Sequence, residues 1–524
     1  MNISQVLCHH AEKRPDATAI LDVLHGRDRA LSFANLELES GRAAALFQSE
    51  GIHPGDAVLI FHPICAELYS VMIGAFRLGA VPMFLDPSAG REHIDRCCKL
   101  WRPKALLAST KAHFLRFVSP ALRAISVKFA IGPPFPGSVS WSRARDLPPM
   151  RNAFECAPDA PALVTFTSGS TGMPKAAVRT HAFLLRQHRV LAQSLLLAPG
   201  EIDLTTLPIF VLANLGSGVC SMIPAGDLRS PGAIEPAPIV RQIRSHKPTR
   251  TVASPAFLER LVDYCIAREL ELGELERIFV GGAPVFPSLL RKLHDVAPRA
   301  EITALYGSTE AEPIAEAAYS RTQAADFEAM AGGRGLLAGL PVSQIRLVVI
   351  QNRWGAPIGP FTTSEFESHR MPAGETGEIV VSGDHVLPGY LDGRGDSETK
   401  FDVEGVRWHR TGDAGYLDEH GRLWLLGRCD ARIQDERGVL YPFRVECAAQ
   451  QIAGVRRTAL VAHKGRRVLA AELAKDAARG TLDAVREAVR WAQIDSVIVL
   501  RKIPVDKRHN SKVNYPELRK KLIS

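Results

Sequence analysis

The chain has 524 residues, 46% of them hydrophobic and 23% charged. That composition excludes disordered, collagen-like and coiled-coil classes and allows about two to four folding units. With 64 Lys and Arg against 56 Asp and Glu, the net charge is +8, too thin an excess for a nucleic-acid platform and suited to phosphate-bearing small molecules. Nine cysteines are scattered along the chain with no CxxC pair. No zinc ribbon or thioredoxin-type site is supported, Cys97 and Cys98 are expected to serve packing, and the chain reads as a reduced, cytoplasmic protein.

The opening residues MNISQVLCHHAEKRPD lack a basic segment followed by an apolar run, so no signal peptide is expected. Strand-length apolar runs then alternate with helix-length stretches. Ala57–Phe61 predicts a strand, Cys65–Leu78 a helix and Val81–Leu85 the next strand. The most apolar stretch, Leu68 to Leu85, is interrupted by Arg77 and Pro82 and is too short to span a membrane. Further strands are predicted at Leu163–Phe166, Thr205–Leu207, Ile278–Val280, Ile302–Leu305, Ile345–Ile350 and Ile379–Val381. This alternation predicts an α/β fold with parallel sheets. From Asp326 to Thr376 the chain is richer in Gly, Pro and polar residues and gives way to shorter alternating strands, which predicts a β-rich subdomain. Near Gly427-Arg428-Cys429-Asp430 it begins again as a small α/β unit. The expected domains are therefore 1–427 and 428–524.

The sharpest chemical signal is Thr165–Lys175, TFTSGSTGMPK, which follows a predicted strand. Thr167, Ser168, Gly169, Ser170, Thr171 and Gly172 combine small residues, which let backbone N–H groups approach phosphate oxygens, with hydroxyl donors. Lys175 adds a cation. The spacing is not that of a GxxxxGK[ST] P-loop. A short Ser/Gly run by itself would read as a strand-to-helix turn; the closing Pro-Lys argues for phosphate.

This string resembles the phosphate loop of the adenylate-forming superfamily, which includes acyl-CoA synthetases, luciferases and peptide-synthetase adenylation domains. Further matches follow in the family's order, each weak alone. Gly281-Gly282-Ala283-Pro284 follows the strand Arg277-Ile278-Phe279-Val280; the resemblance places it against adenine. Tyr306-Gly307-Ser308-Thr309-Glu310 is similar to YGxTE, so Tyr306 offers a ring for adenine, Thr309 a hydroxyl near phosphate and Glu310 an oxygen ligand for Mg²⁺. Thr411-Gly412-Asp413 matches TGD, in which one carboxylate accepts from both ribose hydroxyls, and Arg428 supplies a cation near ribose or phosphate. Asp430 falls at the family's interdomain hinge. In Arg508-His509-Asn510-Ser511-Lys512, Lys512 is the candidate catalytic lysine.

The resemblance implies an AMP-forming acid ligase that uses ATP and Mg²⁺. A carboxylate attacks the α-phosphate, so catalysis rests on positioning and charge stabilisation by Lys512, Glu310, Thr309 and the Ser/Thr loop. No side-chain nucleophile is needed, and no GxSxG elbow or Cys/His signature is found. The resemblance also makes 428–524 a mobile lid that closes over the site and then rotates to admit an acceptor.

The acid-binding segment is expected to include Phe210, Val211, Leu212, Asn214 and Gly216. Adenylation domains of peptide synthetases carry an Asp there for the substrate amine; Val211 occupies that region, which disfavours an α-amino acid. A fatty or β-hydroxy fatty acid fits best. CoA or a carrier-protein thiol is the first expectation for the acceptor. Two details weigh against CoA. The loop Cys429–Tyr441 lacks the usual Lys-x-x-Gly arrangement of CoA-forming relatives. The segments Phe210–Gly216, Trp408–Asp418 and the Arg-His-Asn-Ser-Lys ending look closer to the β-lactone synthetases of bacterial olefin pathways, which close an acyl-adenylate on the substrate's own hydroxyl. From other classes, an inactive scaffold is opposed by the intact Lys175, Glu310, Asp413, Arg428 and Lys512. A nucleic-acid-binding protein is opposed by the lack of an aromatic-interleaved basic patch.

Overall fold

The computed structural model describes residues 1–168, 173–506 and 512–522. Contacts group the chain into two compact units that interleave in sequence. One comprises Met1–Leu228, Pro238–Val252 and Gly389–Asp396; the other comprises Arg229–Ala237, Ala253–Pro388 and Ser397–Ser524.

The first unit holds a seven-stranded sheet in the order Val139–Ser140, Val127–Ile131, Ala105–Ser109, Ala57–Phe61, Val81–Phe84, Pro161–Ser168 and Pro174–Thr180. Neighbours run parallel, except in the hairpin formed by the last two strands. Every residue of Ala57–Phe61 is buried, as in a central parallel strand covered on both faces. The helix Ala66–Leu78 follows and stops at Gly79, whose φ of +78° closes it with a left-handed cap. The chain then enters Val81–Phe84, completing the expected strand–helix–strand unit. Cys97 and Cys98 pack in the adjoining core with Ile94 and Leu122, and all nine cysteines are free.

Elsewhere in this unit, Arg250–Ala253, Ile202–Thr205, Cys220–Met222 and Thr18–Leu24 run parallel, and Arg27–Ser32 returns antiparallel. The strand expected at Thr205–Leu207 lies three residues earlier. Pro208 occupies the first turn of the helix Pro208–Ser217 and Leu207 is its N-cap, so residues 206 and 207 belong to the helix approach.

The second unit opens with the parallel pair Arg277–Val280 and Glu301–Ser308. It then turns antiparallel through Ala311–Ala318, Leu336–Pro341, Leu423–Arg428, Val406–Leu417, Gly377–Ser382 and Arg346–Ile350. The β-rich region thus begins at Ala311, ahead of the expected Asp326. Ala311–Ala318 reads AEPIAEAA, rich in the Ala and Glu that strands usually lack, and becomes a strand through its pairing on both sides. The core here includes Ile314, Ile379, Val381, Trp424 and Leu426. Past Arg428, the helix Pro442–Ala449 packs on the sheet Val455–His463, Arg466–Leu473 and Ser496–Val499. Val445, Leu460, Leu469 and Val485 form a core of their own. Among the described residues no helix is long and apolar enough to cross a membrane.

Candidate active site

In the second unit, the ends of three strands bring Tyr306, Asp413 and Arg428 together. Asp413 and Arg428 are cross-strand partners. The Tyr306 hydroxyl donates to Asp413 Oδ2 at 2.7 Å, and Arg428 Nη1 donates to Asp413 Oδ1 at 3.1 Å and to the Thr411 carbonyl at 2.9 Å. Thr411 Oγ1 accepts from the Asp413 N–H at 3.0 Å and donates to the Ile379 carbonyl at 2.9 Å, which fixes the turn. Gly412 has φ +73°, and a Cβ there would lie 2.3 Å from Arg428 Nη2; only glycine permits this approach. Burial, reinforced by Asp413, pushes the Tyr306 phenol well above its ordinary range, so it remains a hydrogen-bond donor. Trp354 adds a second aromatic surface, with the Arg410 and Arg428 guanidinium carbons 5.2 and 5.8 Å from its ring centroid. Arg410 is itself locked by Glu378 through bonds of 2.6 and 2.8 Å, both side chains being buried.

Gly281-Gly282-Ala283-Pro284 lies beside this cluster. Val280 pairs with Ala304, so the turn runs alongside Leu305-Tyr306, and a Cβ on Gly281 would come within 3.2 Å of the Leu305 Cβ. Gly282 has φ +85°. The turn therefore presents bare backbone at the carboxyl edge of a parallel pair, the usual ligand edge of an α/β sheet. Thr309 and Glu310 follow, both half-buried. The Glu310 N–H donates to Ser308 Oγ at 3.2 Å, and its carbonyl accepts from the Leu387 N–H at 2.7 Å. Lys400 donates to the Leu387 carbonyl, and His409 Nδ1 contacts the Thr399 carbonyl at 3.1 Å. Burial, aided by Lys400 and opposed by Glu310, drives the His409 imidazole down to about 3, so His409 is neutral. The Glu310 backbone is thus held at both its N–H and its carbonyl, and its side chain offers the kind of oxygen that can bind Mg²⁺ beside phosphate oxygens.

In the first unit, Thr167 and Ser168 end the strand Pro161–Ser168, where Thr167 pairs with Lys175 and Ser168 with Pro174. Gly169, Ser170, Thr171 and Gly172 lie outside the described residues. Lys175 is buried. Its Nζ lies 5.6 Å from the centroid of the Tyr390 ring, and a Cβ on Gly395 would meet Lys175 Cε at 2.5 Å. Asp396 Oδ1 accepts from the Tyr390 N–H at 2.9 Å. The segment Gly389–Asp396 thus clasps Lys175 from more than two hundred residues away in sequence.

The helix Pro208–Ser217 carries the predicted acid-binding residues. Phe210, Val211 and Asn214 are fully buried. The Asn214 amide donates to Asp203 Oδ2 at 2.8 Å and to Ser221 Oγ at 3.1 Å, so both of its N–H donors are spent on two strands. Gly216 faces His188: a Cβ there would come within 2.6 Å of His188 Nε2. Leu212 lines a small apolar cleft with Ile209, Ile3, Leu7, Leu184 and His188. Of the five residues, only Leu212 reaches it. Leu212→Trp is expected to fill this cleft and shift acid preference toward shorter chains by roughly tenfold in kcat/KM, read across a chain-length series. An unchanged profile would assign the cleft to packing.

Lys512 is exposed. Its N–H donates to Asp506 Oδ1 at 2.9 Å and its carbonyl accepts from the Asp506 N–H at 2.8 Å. None of the hydrogen bonds or ion pairs among the described residues joins Lys512 to the Tyr306–Asp413–Arg428 cluster. Asp430 is exposed in the short turn Cys429–Ala431. Outside these groups, His62, Cys65 and Glu67 bring ligand atoms within 4.8 Å of one another. Glu67 is already gripped by Arg29 at 2.5 and 2.8 Å, which marks an ion-pair network.

Sequence reading missed Trp354, Tyr390, Gly395 and Asp396. Trp354, Tyr390 and Gly395 are recognisable only through partners far away in sequence, and Asp396 through the segment that carries Tyr390.

The chain belongs to the AMP-binding enzyme family, whose model matches residues 7–391, and it is an AMP-forming acid ligase that uses ATP. It is similar to the olefin beta-lactone synthetase of Stenotrophomonas maltophilia (strain K279a), with 29% identity over 99% of this chain and 97% of that protein. It is also similar to that of Xanthomonas campestris pv. campestris, with 30% identity over 99% and 96%. The fold matches that of the anthranilate CoA ligase AuaEII in complex with anthranoyl-AMP. The TM-score is 0.85 at 16% identity, covering 100% of this chain and 98% of that one.

Proposed function

We propose that this enzyme adenylates a β-hydroxy fatty acid and closes the acyl-adenylate on its own hydroxyl, yielding a β-lactone and AMP. The observation that carries this reading is likeness to two olefin beta-lactone synthetases over nearly the whole length of both chains. A carboxylate oxygen attacks the α-phosphorus and pyrophosphate leaves. The β-hydroxyl oxygen then attacks the acyl carbon, AMP departs with the former carboxylate oxygen, and the hydroxyl proton passes to solvent. Because the attack is intramolecular, no thiol channel is required.

The loop after Arg428 supports this reading. Its hairpin Ile433–Asp435 and Gly438–Leu440 is tied down by Arg467, which donates to Asp435 at 2.6 and 2.7 Å and to the Gly438 carbonyl at 3.2 Å. Arg437 adds bonds to Asp495 at 2.9 and 3.0 Å. In CoA-forming relatives the corresponding loop helps line the pantetheine channel; here it is an ion-paired hairpin.

In this account the Thr167–Gly172 loop and Lys175 bind the β- and γ-phosphates. The Gly281–Pro284 turn and Tyr306 hold adenine, Asp413 the ribose, and Arg428 the ribose–phosphate edge. Residues 428–524, with their own core, act as a lid hinged at Asp430 that carries Lys512 to the reacting carboxylate. Glu310, assisted by Thr309, holds Mg²⁺, which supplies charge neutralisation at the phosphates. Nine free thiols suit a cytoplasmic setting. Glu310→Gln is expected to raise the Mg²⁺ concentration for half-maximal pyrophosphate release by about tenfold; an unchanged Mg²⁺ titration would remove Glu310 from that role.

The test compares a 3-hydroxy fatty acid with the same acid lacking the hydroxyl, each with and without CoA. Steady AMP release from the hydroxy acid alone, with a product lighter by one water, is the expected result. Turnover that begins only when CoA or a carrier-protein thiol is added would establish thioester formation instead.

A further inference from the structure

Between Asp95 and Asp146 the chain contains no Asp or Glu, yet it carries ten Lys and Arg, more than the net charge of the whole protein. This stretch supplies Ala105–Ser109, Val127–Ile131 and Val139–Ser140, which form one side of the seven-stranded sheet, and the short turns that join them. Those turns bring three large apolar side chains to the surface within five residues. Phe114 is 61% exposed, Phe117 68% and Val118 54%. The rings pack on one another rather than into the core. Phe114 meets Phe117 at 6.0 Å, and meets Phe135 edge-on at 5.4 Å. Arg116 lies over the Phe135 ring at 5.4 Å. Arg123 donates to the Arg116 and Phe117 carbonyls at 3.3 and 3.1 Å, holding a second guanidinium at the base of the rings. Lys111 is exposed beside them.

Such a patch of rings is costly in water and marks a contact surface. The Asp95 carboxylate bonded to Ser119 beside this tip is itself paired with Arg91 at 3.6 Å, and the cations around the rings suit an extended negative surface better than a few point contacts. We propose that the Phe114–Phe117–Val118 tip, ringed by Lys111, Arg116 and Arg123, docks the enzyme on anionic lipid bilayers. The rings enter the headgroup–acyl boundary while the cations meet lipid phosphates. The inference stands apart from the choice of acceptor in the reaction.

The experiment is flotation of the full chain with vesicles of phosphatidylcholine alone, or with one third phosphatidylglycerol, at low and high salt. Binding is expected only to the anionic vesicles and is expected to fall at high salt. Phe114→Ser/Phe117→Ser should reduce it by about tenfold or more, and Lys111→Glu should weaken it with the rings intact. Neither variant touches the nucleotide or acid residues, so pyrophosphate release with a short, soluble acid should stay within about twofold of the parent. Failure to bind anionic vesicles, or undiminished binding by the double variant, would overturn the proposal. So would a change in the sedimentation coefficient of the vesicle-free double variant, which would assign the tip to self-association.

Discussion

Lys512→Ala is expected to remove adenylation almost entirely while leaving ATP binding within a few-fold of the parent. As the carboxylate approaches the α-phosphate, two anions meet and charge builds on the bridging oxygen. A positioned cation at such a point is worth about 3–4 kcal/mol, or roughly 10²–10³ in rate. Lys512 is exposed, and its backbone N–H and carbonyl are both bonded to Asp506. Truncating the side chain leaves those bonds intact and should change stability by no more than about 0.5 kcal/mol. The signature is therefore a collapse of acid-dependent pyrophosphate release with normal ATP binding by calorimetry and an unchanged melting temperature. Normal pyrophosphate release in this variant would exclude Lys512 from the reacting centre.

Asp413→Ala is expected to do the opposite, striking nucleotide binding first. The carboxylate can accept from both ribose hydroxyls, and charged hydrogen bonds contribute about 1.5–3 kcal/mol each. Losing two corresponds to roughly 100-fold or more in the Kd for ATP. The same change deprives Tyr306 and Arg428 of their shared partner. Tyr306 is half-buried, and losing that acceptor for its hydroxyl costs about 1 kcal/mol. Asp413→Asn keeps the shape and one acceptor oxygen, so it should fall between parent and Ala in ATP affinity. A Kd for ATP unchanged in both variants would show that the ribose is held elsewhere.

The parts legible in sequence were those where chemistry and local structure coincide. Ala57–Phe61 is a continuous apolar run because its strand is covered on both faces. Gly281-Gly282 and Thr411-Gly412-Asp413 stand out because close approach and positive φ demand glycine at fixed places next to polar groups. Three kinds of feature were not legible. Ala311–Ala318 is rich in Ala and Glu, which strands usually lack, and is a strand through its neighbours. Asn214 reads in sequence as part of an acid-binding face, but its amide N–H groups are taken by Asp203 and Ser221, eleven and seven positions away on separate strands. The Tyr390–Asp396 clasp on Lys175 exists because a distant segment joins the first unit, a long-range event with no periodic signal. Trp354 is likewise an isolated tryptophan until Arg410 and Arg428 arrive from two neighbouring strands.

The most direct test of the account uses a 3-hydroxy fatty acid with both carboxylate oxygens labelled as ¹⁸O, incubated with the enzyme, ATP and Mg²⁺ without any thiol. If the carboxylate attacks the α-phosphate and the hydroxyl then closes the ring, AMP leaves with one heavy oxygen. The lactone keeps the other in its carbonyl. AMP without label would contradict adenylation of the acid. Labelled AMP that forms only after a thiol is added would contradict intramolecular closure.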